Sequence, residues 1–215
     1  MQKVKYRYIL IGVVLLTILS CKSNFNLKWT NEEAPEYFTA KFETTKGDFE
    51  IESRREWSPV AVDRLYQLIK HEYYTDIAIF RVLPNYVAQF GIHNDSTITS
   101  SWNKVKIKDE PVLKANTQGS VSFARGGPET RGTQLFINLK DNSPRLDTIS
   151  FMDVKGFPVV AQVISGFDIV ESFYDGYKAE LDDKQDVITA QGNSYLRKNY
   201  PKLDYIHKAY ISEEQ

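Results

Sequence analysis

The sequence predicts a mainly β protein whose strands form a closed or nearly closed antiparallel barrel. Short apolar or alternating segments bounded by turn residues recur along the chain, which is typical of strands. Two stretches have the spacing of helices, and long polar segments connect the strands, a combination that favours a barrel. The strands are predicted at residues 38–44, 48–52, 77–82, 86–89, 120–124, 135–139 and 159–164.

The first predicted elements are a hairpin and a helix. The hairpin turns at Lys46 and Gly47. Ser58 and Pro59 predict a helix start, because serine is a preferred N-cap and proline fits the first helical position. The core stripe of this helix falls at i, i+3, i+4 and i+7, which are Val62, Leu65, Tyr66 and Ile69. A second short helix is predicted over residues 167–173.

Two further expectations concern the third strand and the C-terminal part. Strand alternation predicts that Ile79, Arg81 and Leu83 share one face, with Phe80 and Val82 on the other. Residues 176–215 carry apolar residues at mixed spacing and are predicted to form a helical extension that packs on the barrel. Within it, the charged residues 178–186 are interpreted as a solvated surface segment.

The first 20 residues have the pattern of a secretory signal. Three basic residues precede an apolar run, residues 9–19, which is shorter than the roughly 20 residues that cross a bilayer. The run ends at Leu19, Ser20 and Cys21, which resembles a bacterial lipobox. Residues 1–20 are therefore predicted to be a cleaved signal peptide, and Cys21 to carry the lipid. The alternative is an ordinary signal peptide or a short anchor with an incidental cysteine.

Without residues 1–20 the chain is acidic, and together with the predicted lipid anchor this charge indicates an envelope protein. The 215 residues include 27 basic and 28 acidic side chains, a net charge of −1, which argues against a nucleic-acid partner. Residues 1–20 carry three basic and no acidic side chains, which leaves 24 basic and 28 acidic residues, a net of −4. Residues 21–36 are interpreted as a polar tether to a bacterial membrane, with the domain facing the periplasm.

The sequence lacks the residues that several kinds of catalysis require. One cysteine excludes an internal disulfide, and the three histidines have no metal-binding spacing. There is no Gly-x-Ser-x-Gly nucleophile elbow. The glycine-rich residues 125–132 lack the ending of a phosphate loop and are interpreted as a tight connection. We therefore expect no metal and no cofactor.

Several ordered segments resemble the core signature of cyclophilin-type peptidyl-prolyl cis–trans isomerases. They are residues 80–91 (FRVLPNYVAQFG), 121–124 (VSFA), 127–128 (GP) and 132–137 (GTQLFI). The early hairpin, the helix after Ser58 and the closing segment 159–167 occur in the family's order. The resemblance covers about residues 37–175 and implies a closed eight-stranded antiparallel barrel capped by two helices.

The resemblance also implies the site. Arg81 falls on the family's catalytic arginine and Gln89 on the glutamine that orients it. The residues that fall on substrate-binding positions are Tyr86, Val87, Ala124, Arg125, Gln134, Phe136, Leu146 and Phe157. The implied partners are polypeptides that contain proline, and we expect the protein to be a monomer.

The chain departs from the family pattern at some of these positions. Phe80 stands where histidine is common, Arg125 where asparagine is common and Phe157 where a pocket histidine is common. Arg145 stands at the position of the tryptophan that dominates cyclosporin binding, so sensitivity to that drug is not expected. The function that the sequence predicts is a lipid-anchored prolyl isomerase for envelope proteins. The alternative is a non-catalytic module that binds proline peptides or acts as a scaffold.

Overall fold

The computed structural model describes residues 25–215. Eight strands form one closed barrel in which each neighbouring pair is antiparallel. They are β1 (Tyr37–Thr44), β2 (Gly47–Arg54), β3 (Ile77–Leu83), β4 (Val87–Phe90), β5 (Ser120–Phe123), β6 (Leu135–Asn138), β9 (Val159–Ser165) and β10 (Tyr205–Glu214). Around the barrel the order is β1, β10, β3, β4, β6, β5, β9, β2 and back to β1. The predicted closed barrel of eight antiparallel strands is confirmed.

Helices and one small hairpin accompany the barrel. The hairpin consists of β7 (Ser150–Phe151) and β8 (Val154–Lys155). The helices are α1 (Pro59–Lys70), α2 (Ser96–Lys104), α3 (Ser143–Leu146), α4 (Phe167–Glu171) and α5 (Gln185–Asn199). The sequence predicts α1 and α4 but not α2, which is rich in serine and threonine. That helix forms because the Asp95 carboxylate accepts a hydrogen bond from Thr97 N at 2.8 Å and because Trp102 is buried.

Aromatic rings fill the barrel, and helix α1 packs against the same core. Phe42 and Phe49 stack with their centroids 4.8 Å apart, and Phe90 lies 6.1 Å from Phe42. The predicted core stripe of α1 is buried in this core. Removing such apolar surface from water is the main favourable contribution to folding.

The start of α1 is capped by a residue distant in sequence. Ser58 occupies the predicted N-cap position, but its hydroxyl makes no capping bond and instead donates to Glu110 Oε2. The Glu110 carboxylate accepts hydrogen bonds from Val60 N at 2.8 Å and Ala61 N at 3.1 Å. A carboxylate at a helix N-terminus also interacts favourably with the helix dipole.

The prediction for residues 176–215 needs one correction. Helix α5 confirms a helical segment, but Tyr205–Glu214 is not part of an extension, because it forms β10 between β1 and β3. The barrel therefore does not end near residue 175. The segment outside the barrel is residues 174–204, named here the α4–β10 insertion, and its two ends meet where Tyr174 N donates to Asp204 Oδ2 at 2.7 Å.

The α4–β10 insertion is docked on the outside of β3 through its own apolar cluster. β3 contributes Ala78 and Phe80 to this contact, and the segment after β4 contributes Ile92. The cluster members from the insertion are Leu181, Ile188, Leu196, Tyr200 and Leu203. Phe80 is 1% exposed, so the phenylalanine at a position where the family often has histidine is a buried anchor for the insertion.

The predicted tether also differs from the structure in its described part. Phe25 lies 5.2 Å from the Trp102 ring, and Trp29 stacks on His71 at 4.1 Å, in centroid distances. The tether prediction overlooked these two aromatic residues, which pack residues 25–36 against the domain. Cys21 and the predicted signal peptide lie outside the described residues. Within residues 25–215, no helix has the length and apolarity to cross a membrane.

Candidate active site

A β-bulge in β3 sets the direction of Arg81. Ile79 pairs with Phe90 and Arg81 pairs with Gln89, so Phe80 is an extra residue in β3. Ile79 and Val82 both belong to the barrel core, whereas Phe80 packs in the insertion cluster. The predicted alternation, with Arg81 on the same face as Ile79, is therefore wrong, because the bulge shifts the phase of the strand. The Arg81 side chain points to the outer groove and is 20% exposed.

Arg81 belongs to a line of polar side chains that runs from β3 across β4 to Gln134, the residue before β6. Its Nη1 donates to Gln89 Oε1 at 3.1 Å, and Gln89 Nε2 donates to Gln134 Oε1 at 2.9 Å. The α4–β10 insertion completes the line at both ends. Arg81 Nε lies 2.9 Å from Asp182 Oδ1, and Gln134 Nε2 donates to Gln185 Oε1 at 3.0 Å. The guanidinium is thus held on two sides.

Beside Arg81 lies an apolar cavity of ≈ 190 Å³. Val87, Phe136 and Leu146 form its buried base, and the Phe136 and Phe157 rings meet edge to face at 5.5 Å. Nine of the ten predicted site residues line this cavity, namely Arg81, Tyr86, Val87, Gln89, Ala124, Arg125, Phe136, Leu146 and Phe157. Gln134 lies in the adjoining pocket of ≈ 380 Å³, which shares Gln89, Ala124 and Arg125 with the first. The structure brings all ten residues to one groove, and their roles stay predictions.

Arg125 shapes the rim of the cavity rather than adding a mobile charge. Its guanidinium donates to the carbonyl oxygens of Val154 and Gly156, at 2.9 and 3.0 Å, and lies 4.7 Å from the Phe157 ring centroid. Partial burial lowers the pKa of Arg125. Among the described residues, no hydrogen bond joins the Arg125 backbone to another residue.

Tyr86 also lines the cavity, and Arg145 lies beside its ring. The Arg145 guanidinium lies 5.8 Å from the Tyr86 ring centroid. The backbone carbonyl of Tyr86 accepts hydrogen bonds from Asn142 Nδ2 and Leu139 N, at 2.8 and 2.9 Å. These contacts fix the Tyr86 backbone beside the cavity.

Two residues at this site, Asp182 and Gln185, were not predicted from the sequence. The interpretation of residues 178–186 as solvated holds for most of the run, but Leu181 is buried and Asp182 contacts Arg81. Partial burial raises the pKa of the Asp182 carboxyl, and the nearby Arg81 lowers it by less. Nothing in the sequence pattern around Gln185 indicates a site residue. Its contact with Gln134 depends on how the insertion docks on the barrel, which a local sequence pattern does not reveal.

Comparisons with known proteins identify the class that this barrel and groove define. The model of the family "Cyclophilin type peptidyl-prolyl cis-trans isomerase/CLD" matches residues 39–192. Peptidyl-prolyl cis-trans isomerase-like 1 of Aspergillus fumigatus is 36% identical over 112 residues, which cover 49% of this chain and 67% of that protein. A peptidyl-prolyl cis-trans isomerase of Acinetobacter baylyi is 29% identical over 133 residues, which cover 61% of this chain and 69% of that protein.

A solved structure shares the fold. It is the crystal structure of a cyclophilin type peptidyl-prolyl cis-trans isomerase of Cryptosporidium parvum, with a TM-score of 0.57 and 18% identity. The match covers 83% of this chain and 99% of that one. The chain belongs to the cyclophilin-type peptidyl-prolyl cis–trans isomerase family, and it is an enzyme of that class.

Proposed function

We propose that the chain catalyses X–Pro isomerisation with Arg81 as the donor and the apolar cavity as the site of the proline ring. The observation that carries this proposal is the position of the Arg81 guanidinium, which lines the cavity beside Phe136 and is oriented by Gln89. A fixed cationic donor at the wall of an apolar slot is the arrangement that this reaction needs.

The chemistry follows from amide resonance. Rotation about an X–Pro bond meets a barrier of about 18–20 kcal/mol, because the partial double bond must be lost. As the bond twists, the prolyl nitrogen becomes pyramidal and gains a lone pair. A donor aimed at that nitrogen stabilises the twisted state more than either planar state, which is the condition for catalysis. Arginine suits the role because it stays charged and presents a rigid fork of N–H groups.

The groove also offers a way to hold the substrate backbone. The Arg125 backbone N–H and C=O face no described partner, so they are available to pair with a peptide lying across Ala124 and Arg125. The Arg125 side chain, tied to Val154 and Gly156, keeps this part of the rim in place. A groove that binds both the peptide backbone and the proline ring fits proline-containing polypeptides as clients.

The test of this function is the rate of cis-to-trans conversion of an Ala-Pro peptide, followed by coupled proteolysis. We expect the purified chain to raise the rate above the spontaneous one in proportion to its concentration. Phe136→Ala should raise KM because the proline ring loses its floor, whereas Phe151→Ala, at an exposed position of the β7–β8 hairpin, should not. Peptide binding without any gain in rate would indicate the non-catalytic module instead.

We also propose that this isomerase is lipid-anchored at Cys21 and assists the folding of envelope proteins from the periplasmic side of a bacterial membrane. The support is the sequence of the first 21 residues: a basic start, a short apolar run and a cysteine after Leu19 and Ser20. Because one acyl chain gives marginal binding, a stable anchor needs more than one chain.

Cys21→Ala tests the anchor. We expect this variant to leave the membrane fraction, because no lipid can be attached to alanine. Ser20→Ala is the matched control, since it alters the neighbouring residue and retains the thiol, and it should stay in the membrane fraction. Fractionation of cells with detection of the chain distinguishes the two. If the Cys21→Ala chain stays with the membrane, the anchor proposal is wrong.

A further inference from the structure

The α4–β10 insertion contributes two side chains to the line of polar residues at the groove. Asp182 lies 2.9 Å from Arg81 Nε, and Gln185 accepts a hydrogen bond from Gln134. Both come from one short stretch of the insertion, where a 3-10 turn, Asp182–Lys184, leads into α5. The insertion therefore touches both ends of the line that runs through Gln89.

The insertion is held firmly enough to fix the position of Asp182. Leu181, directly before Asp182, is fully buried in the cluster that includes Phe80. Further along, Asn193 Nδ2 donates to the backbone oxygen of Asp76, and Arg197 Nη2 lies 2.6 Å from Asp76 Oδ1. Packing and polar contacts thus dock the insertion on the strand that carries Arg81.

We propose that Asp182 is a positioning residue for Arg81: its carboxylate attracts the guanidinium in an ion pair, while Gln89 accepts a hydrogen bond from Nη1. Although Asp182 Oδ1 lies 2.9 Å from Nε, the two atoms are not aligned as a hydrogen bond, so the contact acts through charge. This inference rests on the proposed function, in which Arg81 is the catalytic donor. The ion pair with Asp182 and the hydrogen bond from Nη1 to Gln89 act on different parts of the guanidinium, so its N–H groups keep one orientation beside the cavity. A catalytic group that is held in place before the reaction loses less entropy in the transition state.

Asp182 could instead inhibit catalysis by neutralising the charge of Arg81, but this role fits the geometry less well. Arginine stays protonated beside a carboxylate, so its N–H donors remain. Asp182 is not among the residues that line the apolar cavity, whereas Arg81 and Gln89 are. The carboxylate therefore contacts the guanidinium from outside the cavity and leaves the space for the proline ring open.

The energetics of Asp182 do not indicate a contribution to stability. Its pKa is raised in the folded protein because burial outweighs the attraction of Arg81. The folded state therefore holds this proton more tightly than the unfolded state, and the stability that results is lost as pH rises through the raised pKa. Asp182 is 39% exposed, and asparagine has nearly the same size, so Asp182→Asn is expected to fold.

The test compares Asp182→Ala, Asp182→Asn and the control Asp183→Asn in the full chain. We expect Asp182→Ala to lower kcat by about 3- to 10-fold, the factor for one side chain left unfixed, with little change in KM. Asp182→Asn should lower kcat about as much as Asp182→Ala, because the neutral amide keeps the size of the side chain but not the charge that attracts Arg81. Asp183 is an exposed neighbour without a described ion pair, so its variant should match the wild type.

A second readout separates this inference from the proposed function. The NMR signal of the Arg81 Nε–H reports the contact without any turnover, and it should move in Asp182→Ala more than in Asp183→Asn. An unchanged signal, or a kcat in Asp182→Ala equal to or above that of the wild type, would overturn the positioning role. If the wild type itself is inactive, the proposed function fails and the Nε–H signal alone decides whether Asp182 fixes Arg81.

Discussion

Replacing Arg81 by alanine is expected to lower kcat/KM for an Ala-Pro peptide by about 10²- to 10³-fold, the usual cost of removing one preorganised donor from a transition state. The loss should fall mainly on kcat. Phe136, Leu146 and the rest of the cavity are untouched by the change, so the proline ring still binds. Coupled proteolysis over a range of peptide concentrations gives both constants.

Arg81→Lys is the matched variant for this prediction. Lysine keeps the positive charge that Asp182 attracts, but it lacks the planar fork of N–H groups. Its activity should lie between those of the wild type and Arg81→Ala. Wild-type kcat in Arg81→Ala would show that another group supplies the catalysis.

Phe80→Ala is expected to have the largest effect on stability, because it removes a ring between β3 and the α4–β10 insertion. Phe80 is 1% exposed and packs in the cluster with Leu181. Truncation of such a buried ring costs about 3–5 kcal/mol of unfolding free energy. Urea unfolding followed by fluorescence measures this cost.

The control for Phe80 is another phenylalanine in a different environment. Phe151 lies in the β7–β8 hairpin and is 54% exposed. Phe151→Ala should change the unfolding free energy by no more than about 0.5 kcal/mol, as is usual for surface positions. Equal effects of the two substitutions would contradict the docking of the insertion on Phe80.

The barrel was largely predictable from the sequence because its signals are local. Alternation, turn residues and the core stripe of α1 each lie within one element. The strand β10 was missed because it has few buried residues, and its pairing with β1 and β3 connects distant parts of the chain. A local sequence pattern does not show which distant strands β10 pairs with.

The site also combines residues that could be predicted from the sequence with features that could not. The resemblance placed ten residues that the fold brings to one groove, nine of them around the apolar cavity. The bulge at Phe80 could not be predicted from alternation, because one extra residue inverts the faces of the strand. Asp182 stands in a charged run whose composition is typical of a solvated loop. Its contact with Arg81 arises from the docking of the whole insertion.

The central claim is that Arg81 accelerates rotation about the X–Pro bond of a peptide held in the apolar cavity. NMR exchange spectroscopy on an Ala-Pro peptide at equilibrium tests it most directly, since it separates binding from interconversion. The wild type should give exchange peaks between the cis and trans signals, whereas Arg81→Ala should shift the peptide signals on binding without exchange peaks. Equal exchange peaks for both chains would contradict the claim.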